Sequence, residues 1–111
     1  MMFSLPAGWN MAGSGLKGAE EYHITFQYVS MFFGIIIRMF FSEHNPPHFH
    51  AEYQGTEGIF SFEGKMLQGN IKSAIALRLI KEWAVLRKPE LEENWKNISE
   101  KVGINKIEPL H

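Results

Sequence analysis

A chain of 111 residues, 45% apolar and 14% aromatic, can bury one modest core and is too apolar to stay disordered. Its net charge of −1 offers no global positive field to nucleic acid or an anionic membrane. The lack of cysteine excludes disulfides, thiolate metal sites and a thiol nucleophile.

Residues 1–22, "MMFSLPAGWNMAGSGLKGAEEY", carry four glycines and a proline with no sustained period of 2 or 3.6, and are expected to be a flexible leader. Met11 and Met31 leave open a natural start of translation downstream of Met1. A single domain is expected over residues 23–111. "HITFQYVSM" alternates weakly and suits a short edge strand. "FGIIIRMFF", Phe33 to Phe41, is β-branched and aromatic with both faces apolar, which predicts a central strand. It falls well short of the ~20 residues of a membrane span, and no secretory signal is evident, so a soluble cytoplasmic protein is expected. In "PHFHAEY", His48, His50 and Glu52 alternate with Phe49, Ala51 and Tyr53, as in a strand with one polar and one apolar face. "QGTEG" is a hairpin turn, "IFSFE" the returning strand, and "GKMLQG" a second turn or short strand.

Asn70 is the expected N-cap of a first helix, whose apolar stripe is Ile75, Ala76, Leu79, Ile80, Trp83 and Leu86. Its other side carries Lys72, Lys81, Arg87 and Lys88, a solvated face or a local contact for a phosphate backbone or an acidic partner. Pro89 opens a second helix, with Glu90, Glu92 and Glu93 in its first turn. Leu91, Trp95, Ile98 and Val102 form its buried side, and Gly103 stops it. "INKIEPL" is expected as a final short strand. The order predicts an α+β fold: a three- to four-stranded antiparallel meander packed on one face by two C-terminal helices.

Three of the five histidines lie in "SEHNPPHFHAEY", around a Pro-Pro pair that stiffens the turn. His48 and His50 should project to one side about 6.5–7 Å apart, with Glu52 continuing the row. Three readings stay open. The row can face solvent or pair with Ser61 or Glu63 on the next strand. His44, His48 and His50 can hold Zn or another divalent transition metal, with or without Glu52. Without any cofactor, His48 and His50, aided by His44, can serve as acid and base in phosphodiester cleavage. Arg38, Asn45 and Glu52 are then the candidate substrate-binding residues. Arg38 inside "IIIRMFF" needs a partner: Glu52 or Glu63 across the sheet, or a ligand phosphate.

"GIIIRMFFSEHNPPHFHAEYQGTEGIF", "ALRLIKEWA", "ELEENW" and "KIEPL" resemble a family of short bacterial proteins, domain of unknown function 4160. The resemblance runs from about Ile24 to Leu110, and "HNPPHFHA" is its most specific part. It transfers to Arg38, His44, Asn45, Pro46, Pro47, His48, His50 and Glu52, none with a settled role. Members tend to be encoded beside another small protein, as in toxin–antitoxin modules. The resemblance therefore implies a toxin-like component with a neighbour-encoded, antitoxin-like partner. That component would act on RNA as a metal-independent endoribonuclease through the strand-borne histidines. A non-enzymatic interaction partner and a histidine-ligated metal-binding domain are the rivals. No membrane association is expected, and self-association is left open.

Overall fold

The computed structural model describes residues 25–111; the expected leader, and His23 and Ile24 of the expected edge strand, lie outside them. Five antiparallel strands form a meander in chain order: β1 (Phe26–Phe32), β2 (Ile35–Phe40), β3 (His48–Tyr53), β4 (Thr56–Ser61) and β5 (Met66–Gly69). Helices α1 (Ala74–Leu86) and α2 (Lys88–Ser99) follow. The α+β class stands, with five strands rather than three or four. The weak alternation before Phe33 builds a full seven-residue strand. "MLQG" also pairs with β4, where Gly58 lies opposite Gly69. Only glycine fits at 69, because its φ is +130° and a Cβ there would stand 2.4 Å from the Gly58 Cα.

Two tight hairpins set the register around β3. Phe33 and Gly34 (φ 50° and 81°) join β1 to β2, and Gln54 and Gly55 (φ 50° and 81°) join β3 to β4. Positive φ at both central residues gives the twist that two-residue hairpins need. Phe33 is thus a turn residue, not the first residue of the strand. With these turns β3 falls at the centre of the sheet, Arg38 opposite His50 on one side and Ser61 opposite His48 on the other.

One sheet face and the helices enclose the core. Phe49 stacks on Phe60 (centroids 5.6 Å apart) and meets the edge of Trp83 at 5.4 Å. All three rings are 0% exposed. The cap of α1 is Ser73, whose Oγ accepts from the Ala76 N–H, whereas Asn70 is held in the sheet by reciprocal bonds with the Glu57 backbone. The helix buries Ala76, Ile80, Trp83 and Ala84, and leaves Ile75 and Leu86 exposed. Through Trp83 it meets Phe32 and Phe49 of the sheet.

Helix α2 begins beside Pro89 and buries Leu91, Asn94 and Ile98, with Trp95 packed against the core. It ends at Ser99, so Val102 lies past it and is exposed. The C-terminal segment is not a strand. Side chains take the place of a ladder: Asn94 exchanges two 2.9 Å bonds with the Asn105 backbone, and Trp83 Nε1 donates to the Glu108 carbonyl at 2.9 Å. One backbone bond, Ile107 N–H to the Val29 carbonyl, ties it to β1.

Candidate functional site

Strand β3 sends Phe49 and Ala51 fully into the core, which obliges His48, His50 and Glu52 to the opposite side. The connection from β2 reverses through Phe41–Pro47 and carries Glu43 back over the start of β3. One carboxylate there meets both imidazoles. His48 Nε2 lies 3.0 Å from Glu43 Oε1, and His50 Nε2 lies 3.0 Å from Glu43 Oε2. The two rings are 5.3 Å apart, closer than the strand rise alone implies, because both tilt toward Glu43.

Packing fixes the rings. The His50 ring lies 4.4 Å from that of Phe40, and the His48 ring 5.4 Å from that of Trp95. His48 Nδ1 is 2.7 Å from the Pro46 carbonyl, which can only accept, so Nδ1 carries a proton and Nε2 is the atom turned to Glu43. The prolines thus act on His48 directly, through a main-chain oxygen. Side-chain exposures of 12% for His48, 6% for His50 and 16% for Glu43 place the cluster in a sheltered setting.

Burial alone would raise the Glu43 carboxyl, but hydrogen bonds from His48 and His50 and their positive charges win and lower it from 4.5 to about 2. Burial likewise disfavours the charged His48 ring. The Glu43 hydrogen bond, the Pro46 carbonyl and the Glu43 charge outweigh it and raise His48 above its ordinary 6.5. The linkage signs follow. Glu43 stabilises the fold above 4.5 and loses that contribution as pH falls toward about 2. His48 stabilises below 6.5 and loses its contribution as pH rises through its raised value. For EDTA-treated protein, the urea midpoint is expected to fall in both directions from a maximum between these limits. Glu43→Gln should flatten both limbs; an unchanged profile would show that this cluster does not govern the titration.

The other sequence candidates are placed as follows. Arg38 lies beside His50 in register, with Nη1 3.4 Å from Glu52 and Nη2 3.4 Å from Glu57, its guanidinium over the Phe26 ring at 5.5 Å. Glu52 is therefore a partner of Arg38, as the sheet pattern suggests, but the second carboxylate is Glu57. Glu63 instead pairs with Lys88 at 2.9 Å. Two acids neutralise Arg38, whose side chain is only 13% exposed. His44 and Asn45 are exposed loop residues. Among the described residues, the group able to hold a metal ion is Glu43, His48 and His50, with one ligating atom from each within 4.8 Å of the others. His44 supplies none of these atoms; Glu43, which sequence reasoning did not single out, takes its place. An ion bound at about 2.0–2.2 Å to nitrogen and oxygen holds tetrahedral donors roughly 3.3–3.6 Å apart. The two 3.0 Å contacts run to different Glu43 oxygens; with one atom from each residue the donors lie within 4.8 Å of one another, so the side chains would draw together slightly about an ion. A ligand histidine whose other nitrogen donates to a main-chain carbonyl has the outer support that metal sites use.

Residues 34–96 match the family model described as Domain of unknown function (DUF4160). No curated protein and no solved structure matches the chain. No helix among the described residues is long and apolar enough to cross a membrane.

Proposed function

We propose, for a chain that belongs to the DUF4160 family by a match over more than half its length, that Glu43, His48 and His50 bind one divalent transition-metal ion. A single observation carries this reading: one carboxylate reaches two imidazole Nε2 atoms, one oxygen to each, at 3.0 Å. Two imidazoles and a carboxylate suit Zn, Ni, Co or Fe, and three protein donors leave coordination positions for water or substrate. That is the arrangement of a working centre rather than a closed structural one.

A second reading keeps the toxin-like action on RNA without a metal, with His48 as the proton donor. The raised His48 favours it, since a protonated imidazole near neutrality is a competent general acid. It asks more of the site, however. Both Nε2 atoms are turned to Glu43 rather than outward, and Arg38 has its charge matched by Glu52 and Glu57. Equilibrium dialysis of tag-free protein against Zn²⁺ and Ni²⁺ separates the two. One ion per chain is expected. No retained ion, together with RNA cleavage in EDTA that His48→Ala abolishes, would transfer the site to the second reading.

A further inference from the structure

Helix α1 turns a second apolar stripe to the outside. Ile75, Val85 and Leu86 are large hydrophobic side chains left exposed, and Arg78 and Glu82 lie between them with a 3.3 Å ion pair of their own. All five are more than half exposed. At about 100° per residue they share one arc of about 100°, turned away from the buried Ala76, Ile80 and Trp83. Exposed apolar residues scattered singly are ordinary on a protein surface. These are not scattered. From Ile75 to Arg78, Glu82 and Val85 the steps are three, four and three, the seam spacing of paired helices. The order along that seam is apolar, basic, acidic, apolar. Reversing the helix therefore exchanges Ile75 with Val85 and Arg78 with Glu82. A two-fold axis level with Ile80 sets each of these residues against its complement in a second, antiparallel copy, and does so twice. Leu86 lies beside Val85 on the arc and extends the apolar end. A parallel copy would put Arg78 on Arg78 and Glu82 on Glu82, which like charges oppose.

We infer that the outer face of α1 is a self-association surface, on which a second copy of the chain packs its own α1 antiparallel, with Ile75 on Val85 and Arg78 on Glu82 across the two-fold. The charge pattern selects this occupant, because the face is complementary to itself. Within one chain the Arg78–Glu82 pair is solvated and contributes little. Across the two-fold the same two charges, flanked by Ile75, Val85 and Leu86, fix direction and register. A contact of one helix face from each copy is small, below about 1,200 Å² in total, so the dimer is weak and reversible. The stripe shares no residue with Glu43, His48 and His50, and the inference stands whether or not they bind a metal.

Sedimentation equilibrium of the full-length, tag-free protein over about 5–500 µM should show a monomer–dimer equilibrium, as contacts of this size do. Arg78→Glu leaves only acids at the centre of the seam, and Glu82→Arg only cations. Each alone should weaken association about tenfold or more, since attraction becomes repulsion at both copies of the contact. Mixed in equal amounts, the two variants should pair about as tightly as the wild type, because each acid again meets a cation. Glu93→Arg, a reversal at an exposed residue of α2, should leave association unchanged. All these positions are exposed, so the urea midpoint should stay near that of the wild type and separate lost association from lost folding. The inference is overturned if the wild type stays monomeric throughout, which would leave the stripe to a different protein. It is equally overturned if either reversal associates like the wild type, if the mixed variants fail to pair, or if Glu93→Arg weakens association as much.

Discussion

Glu43→Gln is expected to cost the protein its metal affinity by more than about 100-fold while leaving the chain folded. Loss of an outer-shell partner alone typically lowers affinity about 10–100-fold, and Glu43 is the only charged donor of the three. The amide keeps the shape of the carboxylate, so Phe40 and Trp95 still hold the two rings. One of its two positions becomes an N–H donor, which cannot ligate an ion. In the absence of metal, the same amide can still accept from one imidazole and donate to the other when that ring is neutral. The variant therefore separates binding from folding. Calorimetric titration with Zn²⁺ measures the first, and urea denaturation in EDTA the second. Wild-type affinity in the variant would remove Glu43 from the site. His44→Ala offers the matching comparison: an exposed side chain with no atom in the group should leave zinc affinity unaltered.

Phe49→Ala is the substitution expected to damage the fold most, by about 3–5 kcal/mol. The ring is fully buried, stacked on Phe60 and Phe62 and edge-on to Trp83, so its removal leaves a cavity bounded by large rings that cannot collapse into it. Domains of this size have only about 5–15 kcal/mol in total, so the loss takes a large share of it. Phe49→Leu should lose less, because it keeps much of the volume. The position also links core to site: Phe49 stands between His48 and His50, and its burial orients both toward Glu43. Below the unfolding transition, the alanine variant should bind zinc more weakly than wild type, since a loosened β3 holds the two imidazoles less firmly. Chemical denaturation followed by tryptophan fluorescence gives the stability. A loss below about 1 kcal/mol would contradict the central place given to this ring.

Much of this was legible in the residues because it rests on short-range rules. The period of two in "PHFHAEY" separates the core face from the histidine face whatever the rest of the chain does. Gln54 and Gly55 mark their own turn, and Pro89 marks the start of α2. That Arg38 needs a partner follows from the electrostatic cost of an arginine inside an apolar strand, with Glu52 one of the two acids expected; Glu57 in place of Glu63 does not. What escaped depends on torsions or on distant contacts. Whether His44 or Glu43 faces the strand is decided by the path of Phe41–Pro47, and adjacent residues in a loop follow no fixed period. The face of α1 was legible at Ala76, Ile80 and Trp83, but it also takes in Ala84, whose small side chain carries little hydrophobic signal, and leaves Ile75 and Leu86 exposed. The cap at Ser73 displaced Asn70 because Asn70 is claimed by the Glu57 backbone. The C-terminal segment was expected as a strand, but it makes one backbone bond to β1 and is otherwise held by the side chains of Asn94 and Trp83, which no local pattern reveals.

The most direct measurement is X-ray absorption at the zinc edge on stoichiometrically loaded, tag-free protein. Two imidazole rings with additional oxygen in the inner shell, at about 2.0–2.1 Å, are expected, with His50→Gln reducing the imidazole count to one. A spectrum of ordinary hydrated zinc, or one whose imidazole contribution is the same with and without His50, would contradict a centre built from Glu43, His48 and His50.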